Sequence, residues 1–322
     1  MLFSTLGKSI SMPLAICHFL CDSVYPQLFW LPLGHFKANP MSKRVITIYH
    51  SPDADDAFMF YGLVSGAISD PHIEYRHELC DIESLNQRAR NAELEVTAAS
   101  VHAYAYLADE YAILRTGASM GGVDYGPRLV AKKNLSLQDG KPRSIAIPGE
   151  LTSAALALRM YAHEKNLQIE FVNMHFDKVQ EAVKNGEIEA GVIIHEGQLT
   201  HQREGLVTVL DLGQWWWEET RLPLPLGVNI VKRSLGTEVM KSVGKALRGS
   251  VEYALEHRKS ALEYAMSYGR GLALEDADRF VSMYVNERTR DLGTEGMESI
   301  TRFLKKAAEY KLIPQMPRLD FF

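Results

Sequence analysis

The feature that most constrains the fold of this chain is a regular alternation of short, β-branched apolar runs with longer amphipathic segments. The segments that read as strands, most of them apolar, lie at residues 45–49, 73–79, 96–98, 144–147, 169–172 and 190–194. Segments with helical spacing separate these runs within each half of the chain. Strands that are separated by helices pair most readily in parallel, with the helices packed on both faces of the sheet. The pattern therefore predicts an α/β fold with parallel sheets.

A glycine-rich segment interrupts this alternation and divides the chain into two parts. Residues 117–127 contain four glycines and a proline, which predicts a flexible loop that substrate can reach. A strand at 128–132 leads away from this loop, and a strand at 227–232 returns after the second set of repeats. Beyond Thr237, a plausible N-cap, the pattern is helical throughout. We expect a first lobe at 41–132 plus 230–322, an inserted second lobe at 133–229, and a site in the cleft between them.

The first forty residues are rich in aromatic residues and proline and have no periodicity. These residues make a poor secretory signal, because His18 interrupts the apolar stretch and no small-residue cleavage site follows. We expect residues 1–40 to be an extension outside the fold, with Met41 as the natural start. No stretch of the sequence approaches the ~20 apolar residues of a membrane span.

The composition favours small-molecule chemistry. The formal net charge is −5, without a basic stretch, which argues against a nucleic-acid partner because neutralising phosphates requires clustered Lys and Arg. Cys17, Cys21 and Cys80 have no metal-ligand spacing, and free thiols fit a reducing cytoplasm. We therefore expect a cytoplasmic protein that acts on a small molecule.

His195 follows the buried run 190–194 and is the strongest candidate for a catalytic group. The carboxyl ends of strands in open α/β sheets face the ligand crevice, so an imidazole placed there is held rigidly and still meets substrate. A histidine that only bonds a neighbouring carbonyl at the end of the strand explains the same position. The adjacent Glu196 is expected to be structural, because neighbouring residues on a strand point to opposite faces.

Two loops before helices offer polar groups. The acidic loop 51–56 carries three aspartates, which cap and stabilise a helix N-terminus and also resemble a divalent-metal site. No second acidic cluster is evident, so we predict no metal. Thr152 and Ser153 stand at the start of a helix, where hydroxyls and free amides suit a substrate carboxylate, or serve only as a cap.

Other patterns narrow the chemistry further. The three consecutive tryptophans at 215–217 cannot all face inward. We therefore expect that Trp215, Trp216 or Trp217 forms a wall of the pocket. No dinucleotide-binding, phosphate-binding or serine-hydrolase motif is present. We predict an enzyme or binding protein without a cofactor.

Three segments of the sequence carry a family resemblance. The longest is GVIIHEGQLTHQREGLVTVLDLGQWWWEETRLPLPLG, and the others are SPDADDAFMFYGL and DIESLN, which contains Asn86. Over essentially residues 44–322 the chain resembles the 1,4-dihydroxy-6-naphthoate synthases of the futalosine route to menaquinone. The resemblance implies a two-lobed fold like that of the type II periplasmic binding proteins. It also implies a lyase that converts cyclic dehypoxanthine futalosine to 1,4-dihydroxy-6-naphthoate.

The resemblance also implies roles for individual residues. His195 matches the position of the catalytic base. The substrate-contacting positions that it implies are Ser51, Asn86, Ala98, Ala99, Ser100, Thr152 and Ser153. Ala98 stands where some relatives have a lysine. A general base contributes roughly 10²- to 10⁴-fold to a rate and needs neither metal nor redox cofactor, which agrees with the motifs that the sequence lacks.

Two other functions stay open on the sequence alone. A solute-binding protein of a transporter shares the fold and performs no reaction, but it requires export, for which residues 1–40 give no convincing signal. A related enzyme of menaquinone biosynthesis, similar to chorismate dehydratase, would convert a different, smaller acid.

Overall fold

The computed structural model describes residues 43–268 and 273–322, so the expected extension at 1–40 lies outside the described residues. The strands are β1 Arg44–His50, β2 Ile73–Leu79, β3 Val96–Ser100, β4 Tyr111–Ile113, β5 Ser119–Gly121, β6 Arg128–Ala131, β7 Arg143–Ile147, β8 Ile169–Asn173, β9 Ala190–Ile193, β10 Val207–Asp211 and β11 Leu224–Lys232. The helices are α1 Ala54–Val64, α2 Ile82–Arg90, α3 Val101–Tyr104, α4 Ser153–Glu164, α5 Phe176–Asn185, α6 Gly197–Thr200, α7 Leu212–Thr220, α8 Thr237–Glu256, α9 Arg258–Met266, α10 Leu274–Tyr284, α11 Glu287–Arg290 and α12 Gly293–Glu309.

Two mixed sheets form the framework of the unit Ser42–Phe322. The first has the order β2-β1-β3-β11-β4, with β5 also paired to β11, and the second has the order β10-β6-β9-β7-β8. Strands β1, β2 and β3 run parallel, as do β7, β8 and β9. The prediction of parallel pairing is wrong for β11 and β6, which are antiparallel to their neighbours. At these strands the chain passes from one sheet to the other, so no strand–helix–strand crossover fixes their direction.

The division into two lobes is our proposal, and sheet membership shifts its expected limits. Strand β6, which we expected at the end of the first lobe, belongs to the second sheet, and β11 belongs wholly to the first. The strands of the second sheet therefore span 128–211. The predicted flexible loop 117–127 contains β5 and a bridge between Gly122 and Tyr125, because its backbone pairs with the returning strand β11.

Buried side chains hold helices against the sheets. One apolar cluster joins Ile46 of β1 with Phe58 of α1, Leu247 of α8 and Phe280 of α10. A second cluster includes both β3 and β7 and so connects the two sheets. These contacts fix the strands whose ends carry the polar side chains described below.

The three tryptophans lie within α7, not in a loop before the proline-rich return. Trp216 is fully buried and packs edge-to-face on Phe303, at 5.4 Å between ring centroids. Trp215 packs in the same way on Tyr161, at 5.7 Å. The expectation that one of them forms a wall of the pocket is wrong for the cleft described below, because none of the three lines it and Trp215 and Trp216 belong to the buried core.

Two further features concern the described residues alone. None of their helices combines the length and the apolar character that crossing a membrane requires. Cys80 has a free thiol, and the other two cysteines lie outside the described part of the chain.

Candidate active site

A cleft lies between the two sheets, and residues from both line it. It encloses about 780 Å³ of empty space, its open mouth included. The sequence-predicted positions that line it are Ser51, Ala98, Ala99, Ser100, Thr152 and Ser153. Their contact with substrate stays a prediction, but the fold brings all six to one surface.

The acidic loop between β1 and α1 forms one wall of the cleft. Its backbone is held by Asp56, whose carboxylate accepts a hydrogen bond from the Ser51 amide at 2.8 Å. The Ser51 hydroxyl donates to Asp53 at 3.0 Å, so this hydroxyl serves the loop itself. Asp55 also lines the cleft.

These carboxyl groups are difficult to ionise together. Burial, and then the charge of Asp53, raise the pKa of Asp56 to about 7. Burial, followed by the charges of Asp56, Asp53 and Glu196, raises the pKa of Asp55 well above its usual range. The wall is therefore rich in hydrogen-bond acceptors, and near neutral pH part of it is protonated and able to donate. Within the described residues, no group of His, Cys, Asp and Glu side chains is arranged to hold a metal ion.

Ser100 ends β3 on the floor of the cleft, and a buried amide fixes its position. Asn86 donates to the Ser100 hydroxyl at 3.0 Å and accepts from the Ser100 amide at 2.8 Å. Because the hydroxyl oxygen accepts from Asn86, its own proton is directed elsewhere. Asn86 is fully buried behind Ser100 and is not among the described side chains that line the cleft. Both ends of its amide are engaged with Ser100, which gives Asn86 a positioning role, and its expected contact with substrate stays a prediction.

The start of α4 forms the opposite wall. The Thr152 hydroxyl caps the helix by accepting from the Ala155 amide at 3.2 Å, and it donates to the Gly149 carbonyl at 2.9 Å. The Ser153 hydroxyl donates to the Leu226 carbonyl of β11 at 2.6 Å, so it links the second lobe to the first sheet. Both hydroxyls are thus engaged within the protein.

The backbone at this helix start has a different capacity. The amides of Ser153 and Ala154, at the first two helical positions, have no carbonyl partner within the helix. Both residues line the cleft. Free amides at the positive end of a helix dipole are suited to an anion.

His195 lies two residues beyond β9, which ends at Ile193. Ile194 lines the cleft, whereas the His195 side chain, 14% exposed, is not among the described lining groups. Its Nδ1 accepts a hydrogen bond from the Gly197 amide at 3.0 Å and lies 3.7 Å from a Glu196 oxygen. A ring that accepts at Nδ1 carries its proton on Nε2 when neutral.

The position of Glu196 corrects an expectation. We expected it to point away from His195, as alternate residues of a strand do, but the strand has already ended. The Glu196 backbone is helical, with φ −55° and ψ −20°, so the two side chains lie together. The Glu196 charge also acts on Asp55, which places the turn that carries His195 opposite the acidic loop.

Sequence reasoning missed three polar side chains in the cleft, of which Ser119 of β5 is the first. Asn229 of β11 lines it, although it is only 1% exposed. Tyr284 at the end of α10 also lines it, and its hydroxyl donates to Gln198 of α6 at 2.8 Å. Asn229 had a visible signal, since it is an amide within the otherwise apolar run Gly227–Val231. No pattern in the sequence marks Tyr284 as a site residue, because helical periodicity alone explains its burial.

Fold and site together define a two-lobed α/β protein of the periplasmic-binding-protein type. The zinc-bound ligand-binding component of an ABC-type import system from Staphylococcus aureus is 14% identical, with a TM-score of 0.62 over 86% of this chain and 94% of that one. The alkanesulfonate-binding protein SsuA from Xanthomonas axonopodis is 10% identical, with a TM-score of 0.64 over 85% and 95%. At these identities the likeness concerns the fold alone.

Closer relatives identify the family. The sequence model of the family described as "Menaquinone biosynthesis" matches residues 46–309. The 1,4-dihydroxy-6-naphthoate synthase of Thermus thermophilus is 39% identical over 83% of this chain and 96% of its own length, and that of Streptomyces coelicolor is 32% identical over 86% and 97%. Protein AF1704 from Archaeoglobus fulgidus is 45% identical, with a TM-score of 0.79 over 84% and 98%. The chain belongs to this family of menaquinone biosynthesis.

Proposed function

We propose that this protein is a carbon–carbon lyase that converts cyclic dehypoxanthine futalosine to 1,4-dihydroxy-6-naphthoate. The observation that carries the proposal is that a chain so similar to two synthases brings six of the expected site positions to one cleft. A biosynthetic role also supports a cytoplasmic location. The proposed reaction needs a bound carboxylate, acceptors for hydroxyl groups and one base.

The two walls of the cleft divide the binding of this substrate. The carboxylate is proposed to lie against the amides of Ser153 and Ala154, where the helix dipole favours negative charge. The acidic wall would repel it, because Asp53, Asp55 and Asp56 already disfavour further negative charge. The hydroxylated part of the substrate then faces the acidic wall.

His195 is proposed to take a proton from a substrate hydroxyl. The oxygen electrons then form a carbonyl, the adjacent carbon–carbon bond breaks in a retro-aldol-like step, and the naphthalene ring becomes aromatic. The proton held by the imidazolium can return to the carbon or oxygen that receives the electrons.

The ring must change its hydrogen bonding for this step. In the described conformation Nδ1 accepts from Gly197, so the neutral ring has its lone pair engaged there and a proton on Nε2. We propose that the ring turns when the lobes close on substrate, which releases Nδ1 from the Gly197 amide. Glu196 at 3.7 Å would then stabilise the imidazolium that forms.

The experiment compares turnover of the wild type with that of His195→Ala and His175→Ala. We expect His195→Ala to lose about 10²- to 10⁴-fold in kcat, as is typical for removal of a general base. His175 is an exposed histidine paired with Asp177, so its loss should leave turnover unchanged. Wild-type activity in His195→Ala would remove His195 from the mechanism, and an inactive wild type would contradict the proposed reaction itself.

A further inference from the structure

The floor of the cleft contains a buried polar atom for which the described residues supply no hydrogen-bond partner. This atom is Oδ1 of Asn229, in β11, which lies between β3 and β4 in the first sheet. Asn229 is 1% exposed and lines the cleft. The great majority of buried side-chain polar atoms in proteins are hydrogen-bonded, so an acceptor in a ligand cleft without a partner indicates a donor on the ligand.

The orientation of this amide is fixed from behind. Asn229 Nδ2 donates to the Gly117 carbonyl at 2.9 Å. If the amide were flipped, Oδ1 would face the Gly117 carbonyl oxygen, and two acceptors would meet. Nδ2 therefore faces Gly117, and Oδ1 faces the cleft. Gly117 has a φ of +84°, and a Cβ there would lie 2.3 Å from Asn229 Nδ2. The Asn229 amide can therefore lie this close to the backbone only if residue 117 is glycine.

The register of the sheet places this acceptor beside the expected substrate positions. Asn229 is paired with Ala98, and Gly227 is paired with Ser100, in the antiparallel ladder of β11 and β3. Directly paired residues share a face of the sheet, with Cβ atoms about 4.5–5.5 Å apart. The small side chain of Ala98 leaves the space next to Asn229 open. An acceptor and the Ser100 hydroxyl thus stand on the same floor.

We infer that Asn229 is a substrate-binding residue whose Oδ1 accepts a hydrogen bond from a hydroxyl group of the substrate. This inference rests on the proposed function, because the proposed substrate and product both carry hydroxyl groups. The contact orients the hydroxylated ring while the carboxylate lies at the start of α4. Asn229 is neutral, so it adds an acceptor without adding charge to a site whose other wall is already acidic.

The test compares two ligands that differ only in their hydroxyl groups. The dissociation constants of 1,4-dihydroxy-6-naphthoate and of 2-naphthoate are measured without oxygen for the wild type, Asn229→Leu and Asn229→Ser. Both ligands have the same carboxylate, so contacts at the start of α4 cancel in the ratio of the two dissociation constants. Leu has the branched heavy-atom skeleton of Asn without its polar atoms, and Ser is too short to place an oxygen where Oδ1 lies; either variant alone suffices if the other does not fold.

We expect the wild type to prefer the dihydroxy ligand. The variants should weaken this preference by about two- to tenfold, the range of one net hydrogen bond, while binding 2-naphthoate as the wild type does. An unchanged preference in the folded variants would overturn the inference and would mean that water occupies Oδ1. If the wild type binds neither ligand, the proposed function fails instead.

Discussion

At the scale of single residues, the most unusual groups are the carboxyls of the acidic loop. Asp56 is buried, bonded to the Ser51 amide and close to Asp53, and its pKa is raised to about 7. The protein therefore retains a proton at this position that an unfolded chain releases near pH 4. A raised pKa of this kind costs stability above neutral pH and gives the cleft a carboxyl that can donate or accept.

This leads to a prediction for Asp56→Asn. The raised pKa of Asp56 contributes to the free energy of unfolding, and this contribution is fully present below about pH 4 and is lost as the pH rises through about 7. An Asn at this position does not titrate. Relative to the wild type, Asp56→Asn should therefore gain free energy of unfolding between pH 5 and pH 8, by roughly 1–3 kcal/mol at about 1.4 kcal/mol per pKa unit. Urea unfolding at the two pH values measures this.

The matched control is Asp139→Asn. The Asp139 carboxyl is exposed, and a hydrogen bond from the Lys141 amide lowers its pKa, so no gain at pH 8 is expected. An equal gain in both variants would show that net charge, and not burial at Asp56, is the cause.

Residue-scale reasoning from the sequence reached the polar residues at the ends of elements. Thr152 could be predicted because hydroxyls before a helix serve as caps or ligand contacts, whereas Ser100 was expected only from the family resemblance. The positioning role of Asn86 could not, because it depends on the distance between α2 and β3 in the folded chain. Glu196 was misjudged because β9 ends at Ile193, and the turn that follows brings the Glu196 side chain beside His195.

At the scale of elements, close contact between α1 and α8 supports the acidic wall. Ser250 of α8 donates to the Met59 carbonyl at 2.8 Å and accepts from the Leu63 amide at 3.1 Å. This contact is possible because Gly62 has no side chain: a Cβ there would lie 2.7 Å from the Ser250 Cα. The helix that begins in the acidic loop is thereby fixed against the C-terminal helices.

We predict opposite effects for alanine at two helical glycines. Gly62→Ala should lower the free energy of unfolding by about 1–3 kcal/mol, because the added methyl group meets backbone that cannot move aside. Gly244→Ala lies within α8, where the nearest atom would be 3.6 Å from the new Cβ. There the better helix propensity of alanine should stabilise the protein by up to about 1 kcal/mol. Thermal unfolding of the two variants measures this, and destabilisation by both would contradict the contact.

Among the elements, the long periodic segments were predictable and the short ones were not. Strands β1, β2, β7 and β8 and helices α4 and α5 follow from hydrophobic periodicity. Strands β4 and β5 have three residues each, too few to show a period, and they form by pairing with β11. Helix α3 is also short, because it ends at Tyr104 and is followed by turns.

At the scale of the whole molecule, one framework serves both transport and synthesis. The solute-binding proteins that share the fold are 10% and 14% identical to this chain, whereas the two synthases are 39% and 32% identical. What separates the two functions is the content of the cleft. Here it combines an acidic wall, an amide-rich helix start and the turn that carries His195.

The α/β class and the presence of two parts could be predicted, because strand and helix periodicities alternate along the chain. The assignment of β6 and β11 to sheets could not. Strand pairing between residues far apart in sequence leaves no local pattern, and the pair Asn229↔Ala98 joins positions between which almost the entire expected second lobe lies. The antiparallel returns therefore became visible only in the folded structure.

The central claim is that this cleft performs a carbon–carbon cleavage rather than only binding a solute. The most direct measurement incubates the purified protein with cyclic dehypoxanthine futalosine, without oxygen, and follows 1,4-dihydroxy-6-naphthoate by mass spectrometry over many turnovers. We predict product that accumulates in proportion to protein and time and far exceeds the amount of protein. Saturable binding of the substrate with no product would contradict the claim and would identify the molecule as a binding protein.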